Sequence, residues 1–419
     1  MKINKKILAV TANLLVLDAS AAAFQLSEHS ATGLGRAFAG EGAIADNAAV
    51  LARNPAAMSM FEQAEISVLA TAIFPDVSLE GVSAPQGIDA ETLNLSSIAP
   101  DAFIPSIYYV QPINHDLAIG FGVFSNFGLS TKLPEDYAAG LLGGETSLTT
   151  VNFNGSVSYK INEKLSLGAG LNLVYGDAEL SRNLGANQFN LPNATIAANM
   201  TGDDYGFGWN IGALYEINGQ NRISLSYRSQ VDLTLTGDYS NDLPAALGGL
   251  EGQVLAGDLD IALPDIAELS GFHQLSDKFS IHYSVMWTGW SSFEKLEAFA
   301  QGIDDAVFSK EEHFENSTRS SLGFSYDFDE AITFRAGIAY DKTPAQQAYR
   351  SISIPDSNRV WYSTGFSYRF KNASSADFGF SYIKGQEETF TETDDFGQQW
   401  QFNSSGDALI MSAQYNYRF

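Results

Sequence analysis

Seven arginines fall on the polar side of stretches in which polar and apolar residues alternate: Arg182, Arg222, Arg228, Arg319, Arg335, Arg359 and Arg369. A guanidinium is always charged, and its planar fork of donors fits a carboxylate or a phosphate. The chain has Lys+Arg 23 against Asp+Glu 49 and a formal net charge of −26, so partners for these groups abound, among them Glu28, Glu41 and Asp46. For most of the seven the reading is internal ion pairing, because a charge taken out of water needs a partner. The sharper reading is that one or two hold the anionic head of a ligand. His282 and Ser284 share a side of one stretch and have the residue types of a base and a nucleophile. Hydrolysis needs such a pair hydrogen-bonded and within reach of substrate, which positions facing a plugged interior do not offer. His 5 and Cys 0 give no ligand spacing for a metal, and nothing implies a cofactor.

These side chains must be positioned by elements whose period is two. The chain opens with Lys2, Lys5 and Lys6, continues as ILAVTANLLVL, and reaches Ala19-Ser20-Ala21. That is a charged start, an apolar core too short to span, and an A-x-A site: a signal peptide over residues 1–21. An exported chain without cysteine does without disulfides. So acidic a protein is ill suited to nucleic acid, whose phosphates need Lys and Arg. Tyr 18, Phe 28 and Trp 5 argue against disorder.

Over 64–419 about fourteen alternating segments can be read. They lie near 65–80, 103–112, 116–129, 147–161, 164–182, 204–217 and 221–238, then near 257–273, 278–293, 311–327, 330–342, 358–370, 375–386 and 406–419. Leu165, Leu167, Ala169, Leu171, Leu173 and Tyr175, for example, alternate with Ser166, Gly168, Gly170, Asn172, Val174 and Gly176. Connections after even segments are short, such as INHD near 113 and NEK near 162; those after odd segments are long, such as 183–203 and 239–256. Strict short–long alternation over an even number of strands is the layout of an all-β, fourteen-stranded antiparallel transmembrane barrel with short periplasmic turns and long outer loops. A soluble barrel would turn its apolar side inward. Here the aromatic strand ends, the terminal Phe419 and the signal peptide favour apolar faces toward lipid. Residues 22–63 do not alternate. They read as Ala-rich helical pieces broken by Gly and by Asn54-Pro55, and they would leave Phe38, Leu51, Met58 and Phe61 exposed as a free tail. Packed as a hatch inside the lumen, those side chains find partners.

One strand breaks in its own middle. In LAIGFGVFSNFGLS (117–130), clean alternation gives way at Ser125-Asn126-Phe127-Gly128, yet the chain does not turn back. Taken alone, this is a bulge that bends the strand.

Several stretches resemble the FadL-type long-chain fatty-acid transporters of Gram-negative outer membranes: FQLSEHSATGLGRAFAGEGAIADNAAVLARNPAAM (24–58), SIAPDAFIPSIYYVQPIN (97–114), YGFGWNIGALYEINGQNRISLSYRS (205–229) and RSISIPDSNRVW (350–361). The likeness covers nearly the whole mature chain, and the hatch with Asn54-Pro55-Ala56 is its most specific part. The resemblance implies a fourteen-stranded barrel closed by an N-terminal hatch. It implies a ligand caught in an apolar groove among the outer loops, moved to a deeper pocket, and released sideways where strand 3 kinks inward. The kink falls on Asn126, Phe127 and Gly128. Arg182 aligns with a basic residue that holds the head group. A second basic position aligns with Glu315, a departure that leaves two readings: Arg319, four residues on with the same inward parity, compensates, or Glu315 holds Arg319 in place. Leu184, Phe189, Leu191, Leu247 and Leu250 are candidates for the outer groove. Asn54, Pro55 and Ala56 are expected to act as a movable part of the hatch.

The expected partners are therefore a long-chain fatty acid or another hydrophobic small molecule and the lipid of the outer membrane, with the protein a monomer. Uptake of neutral or aromatic hydrocarbons by the same route is the alternative, and Glu315 leans that way. A general porin and a barrel lipase are weaker readings, the first because the apolar hatch block opposes an open pore.

Overall fold

A computed structural model describes residues 23–419. The signal peptide expected over 1–21 lies outside the described residues. Alternation drives the fold: residues two apart on a strand share a face, so one face meets lipid and the other the lumen. The strands are β1 Glu65–Ser83, β2 Ala102–Pro112, β3 Leu117–Phe124 with Gly128–Lys132, β4 Glu145–Lys160, β5 Leu165–Asn183 and β6 Ile196–Asn218. Next come β7 Asn221–Arg228 with Val231–Ser240, β8 Leu255–Leu263 with Ile266–Gln274, β9 Phe279–Thr288 with Lys295–Ala300, and β10 Phe308–Glu311 with Ser317–Asp327. The last are β11 Ile332–Asp341, β12 Arg359–Arg369, β13 Ser374–Gly385 with Glu388–Thr393, and β14 Gln399–Arg418. They form a closed antiparallel 14-strand barrel. Closure pairs β14 with β1 from Glu65↔Arg418 upward, and Phe419 N donates to Ala64 O (2.9 Å).

The apolar parity faces outward as expected. Leu171 is 74% and Phe207 79% exposed, while Ser166 and Asn172 of the opposite parity are buried. Tyr159, Tyr215, Tyr326, Tyr368 and Tyr415 are exposed at the periplasmic strand ends, where amphipathic rings suit an interface. The barrel is taller than alternation alone suggested. β6 starts at Ile196, β14 at Gln399, and β1 runs to Ser83. These outer extensions carry Asn199, Thr201 and Asp203 on their outward side, and a strand standing above the lipid needs no apolar face.

The hatch enters at the periplasmic end and fills the lumen. Its helices α1 (Ala31–Leu34), α2 (Glu41–Ile44) and α3 (Val50–Arg53) and a 3-10 turn (Pro55–Met60) are single turns, nearly all buried. Pieces so short are not stable alone; the barrel wall supplies their packing. Polar pairs fix the hatch. Arg36 donates to Glu41 Oε1 (2.5 Å) and Asp46 Oδ2 (2.7 Å), and Arg335 Nη2 lies 3.7 Å from the same Asp46 oxygen.

Candidate functional site

The site starts where the ladder stops. β2 pairs with β3 only from Ile107↔Val123 to Pro112↔Ala118, and the outer piece of β3 pairs only with β4. Residues 102–106 of β2 therefore face a gap in the wall. The gap ends above, where Lys132 N donates to Ile98 O (2.8 Å). Freed backbone groups in a membrane wall need partners, and the hatch supplies them. Leu26 N donates to Asn126 O (2.7 Å), Gly128 N to Phe24 O (2.8 Å), and Gln25 bridges Phe127. His29 Nε2 donates to Ser125 O (2.9 Å). Thr150 Oγ1 donates to Phe127 O (2.6 Å) and accepts from Phe127 N (3.3 Å). The first described residues of the chain thus stand in for the missing strand contacts, and the kink is an inward fold sealed from inside.

Behind the gap lies an apolar lumen. Phe24 packs against Trp290 (4.6 Å between ring centroids), Phe293 (5.2 Å) and Phe127 (6.1 Å). Trp290 and Phe293 reach inward because β9 is interrupted by a 3-10 turn, Trp290–Ser292. The apolar cluster continues outward through Val231, Leu233, Leu259 and Ala298 to Ala198, with Val307 and Phe308 packed against it. Ala198, Val307 and Phe308 also line an outer cavity of about 560 Å³ together with Arg182, Lys310 and Glu392.

Arg182 is 4% exposed. It donates to the carbonyls of Ser181 (2.8 Å) and Glu145 (3.1 Å), to Thr146 Oγ1 (3.1 Å) and to Ser353 Oγ (2.9 Å), and its guanidinium lies 5.4 Å from the Phe308 ring centre. Among the described residues no carboxylate lies within 4.0 Å of it. Lys310 pairs with Glu392 across the cavity, and Arg350 Nη2 lies 3.2 Å from Glu388 Oε1. Glu312, in the turn after Phe308–Glu311, is buried, and that burial pushes its carboxyl up to about 8 against the opposing pull of Lys310. The arrangement is a charged mouth with one buried cation lacking a counterion, opening on an apolar path that ends at a gap in the wall.

The model of the family described as outer membrane protein transport protein (OMPP1/FadL/TodX) matches residues 12–419. The chain belongs to this family. It is an outer-membrane barrel of a transporter family. A long-chain fatty acid transport protein of Escherichia coli O6:H1 is 39% identical over 445 residues, covering 99% of this chain and 98% of that protein. A 47 kDa outer membrane protein of Pasteurella multocida is 43% identical over 438 residues, with 100% and 99% covered. The crystal structure of a Pseudomonas aeruginosa FadL homologue shares the fold with a TM-score of 0.86 at 23% identity, over 94% of this chain and 99% of that one. That of the Pseudomonas putida toluene transporter TodX does so with 0.66 at 18%, over 97% and 100%.

Within this OMPP1/FadL/TodX barrel the residues singled out from the sequence separate. Arg319 is not at the mouth. It donates to Ser27 Oγ (2.8 Å) and Ala37 O (3.3 Å) of the hatch and lies 4.3 Å from the Trp361 ring centre. Glu315 is exposed and pairs with no cation among the described residues; its N–H donates to Pro344 O (2.9 Å). Its parity was misjudged because the break between the two pieces of β10 resets the alternation. Asn54-Pro55-Ala56 ends α3 as expected, and it is held closely by hatch and wall. Asn54 Nδ2 donates to Gly42 O (2.8 Å) and Ala213 O (3.3 Å), and Ser158 Oγ donates to Ala56 O (2.9 Å). Gly168 and Gly212 make room for it, since a Cβ at either would strike Ala56 or Asn54. These contacts seat against the barrel wall the motif expected to move.

The outer-loop residues do not form one groove. Leu184 is buried, Phe189 meets Phe396 edge-on (5.6 Å between ring centroids), Leu191 is partly buried, Leu247 is exposed, and Leu250 packs on the lumen cluster. His282 bonds Ser325 Oγ (2.8 Å), whereas Ser284 Oγ donates to Glu268 (2.8 Å), so His282 and Ser284 do not pair with each other. Lys310, Trp290 and the Phe24–Leu26 bridge were not foreseen. For Lys310 the signal available was a rare basic residue in the outer loop of an acidic chain.

Proposed function

We propose that this protein carries long-chain fatty acids across the outer membrane by passive diffusion, binding the carboxylate at Arg182 and releasing the chain sideways at the β3 break. The carrying observation is the Arg182 guanidinium, buried without a carboxylate partner and lining an outer cavity next to the apolar cluster. A buried cation left without a counterion is costly unless an anion visits it, and a carboxylate fits its fork. The acyl chain then lies along the apolar cluster, whose far end is Phe24 and Phe127 at the gap. Displacement of residues 24–26 from the kink opens a route from lumen to bilayer core without a polar channel. The names of the relatives in Escherichia coli agree with this reading. The hydrocarbon alternative rested on Glu315 occupying a head-group position, and Glu315 faces away.

The test compares ligands of one chain length. A charge-assisted hydrogen bond is worth about 1.5–3 kcal/mol, so Arg182→Ala should weaken binding of the acid by about tenfold or more. Binding of the matching alkane should barely change. Equal loss for acid and alkane would make Arg182 a structural residue and remove the head-group assignment.

A further inference from the structure

Besides Arg182, three inward guanidiniums meet no acid among the described residues, and one of them, Arg228, stands at the opposite end of the apolar cluster. Arg36, Arg53, Arg335 and Arg359 all meet carboxylates. Arg228 has none within 4.0 Å among the described residues. Arg319 is enclosed by hatch atoms, and Arg222 stacks on Phe272 near the periplasmic end. Arg228 differs from both, because it stands where the wall opens. It lines a small cavity with Asn126 and Phe127 of the kink, Asn152, Asn172 and Val231 of the apolar cluster. Its own partners are Asn172 Oδ1 (2.6 Å) and Ala52 O (2.8 Å), which use two of its five N–H donors. It is only partly buried.

Around it the inward face is amide instead of apolar. Asn152 Nδ2 donates to Asn126 Oδ1 (2.9 Å) and Asn172 Oδ1 (3.0 Å), and Asn172 Nδ2 donates to Asn210 Oδ1 (3.0 Å). Asn152 Oδ1 is buried with no partner of its own. The nearby acid Glu268 is engaged by Arg53 (3.5 Å), Ser270 Oγ (2.7 Å) and Ser284 Oγ (2.8 Å). A polar, positively charged floor thus underlies the apolar lumen at the level of the kink.

Asn172 and Arg182 lie on the same strand, β5. Ten residues at about 3.3 Å each, on a strand inclined by about 40°, separate them by about 25 Å of depth. A head group that leaves Arg182 must cross that depth before the whole molecule can leave sideways, and an unpaired carboxylate in an apolar lumen is strongly disfavoured. We propose that Arg228, with the amides of Asn126 and Asn172, is a second carboxylate station at the inner lip of the wall opening. It receives the head group after the tail has entered the gap. This rests on the fatty-acid reading above.

The experiment uses the full-length protein with oleate and its methyl ester, comparing wild type, Arg182→Ala, Arg228→Met and Arg228→Lys. Equilibrium binding by purified protein reads the outer site; uptake by cells reads delivery, and heat-modifiable migration reports an assembled barrel. Arg228→Met is expected to bind oleate within about twofold of wild type. It should take up oleate about tenfold more slowly and the ester unchanged, with Arg228→Lys recovering part of the oleate rate. Equal slowing of acid and ester would mean that Arg228 only holds Ala52 and Asn172 in place, and unchanged oleate uptake would mean that the station is not used. Either result overturns this proposal while leaving Arg182 standing. If wild type binds acid and ester alike, and Arg182→Ala changes neither, the fatty-acid reading and this one fall together.

Discussion

At Arg182 every close partner is a neutral oxygen, while in the same cavity Lys310 and Glu392 satisfy each other. The mouth therefore offers one cation that a visiting anion need not compete for. Glu312 modulates this. Its carboxyl, raised by burial to about 8, is protonated and neutral at pH 7 beside Lys310 and Arg182. Above that pH it becomes a carboxylate and repels a second one, while the ligand's own carboxyl is ionised throughout. Oleate affinity should therefore fall as pH rises from about 7 to about 9. Glu312→Gln should flatten that dependence, and titration of oleate binding against pH for both proteins is the measurement. The same slope in both would mean that another group titrates. At this scale the sequence was half legible. Parity put the arginines on the lumen face, but which of them pair depends on contacts across the lumen. Arg228 to Ala52 spans 176 residues and Arg319 to Ser27 spans 292, and no local pattern encodes such distances.

Strand β3 shows what an element can do by failing to continue. Its alternation and its break were both visible in LAIGFGVFSNFGLS, because a membrane strand is read from local period alone. The other interruptions were passed over. The β7 break at Ser229-Gln230 hides because Ser229 substitutes for the ladder, its N–H donating to Trp209 O (2.9 Å) and its Oγ accepting from Trp209 N (2.9 Å). The polar outer extensions were read as loops for want of an apolar face. Replacing Asn126-Phe127-Gly128 by Val-Thr-Val should convert the break into strand. A Cβ at 128 would lie 3.2 Å from Leu26 Cδ1, so the Leu26 side chain of the hatch segment must give by a few tenths of an ångström. Labelled oleate uptake by cells should be lost, whereas binding at the outer cavity should persist and barrel stability should hold or rise as ladder bonds return. Full uptake through a demonstrably straight β3 would send the ligand downward past the hatch instead. Loss of binding as well would mean only a broken fold.

Barrel and hatch are held by different physics, and this makes the whole molecule separable. The wall closes on itself by backbone ladder from β1 to β14, interrupted at the β2–β3 gap, with an apolar belt in lipid. The hatch has only single helical turns, and it is fixed by side-chain pairs and by glycines that let it approach the wall. Arg36 is the centre of that fixing. It is 1% exposed, bonds Glu41 and Asp46, and its backbone lies where Gly323 and Gly337 leave room. Removing one partner of a buried ionic network costs about 3–5 kcal/mol, because the charges left behind stay desolvated. Arg36→Met leaves Glu41 buried without its cation and Asp46 with only Arg335, so the loss falls on the hatch and spares the ladder. The variant barrel should assemble in the outer membrane and remain heat-modifiable, since none of its strand pairings changes. In a planar bilayer it should conduct ions far more often than the wild type, and cells carrying it should become sensitive to large polar antibiotics. Arg36→Met together with Glu41→Gln and Asp46→Asn should conduct less than the single variant, because the stranded charges that drive the hatch out are gone. A single variant that stays as tight as wild type would show that the kink contacts of residues 24–29 and the seat of Asn54-Pro55-Ala56 hold the hatch without the buried ion pairs.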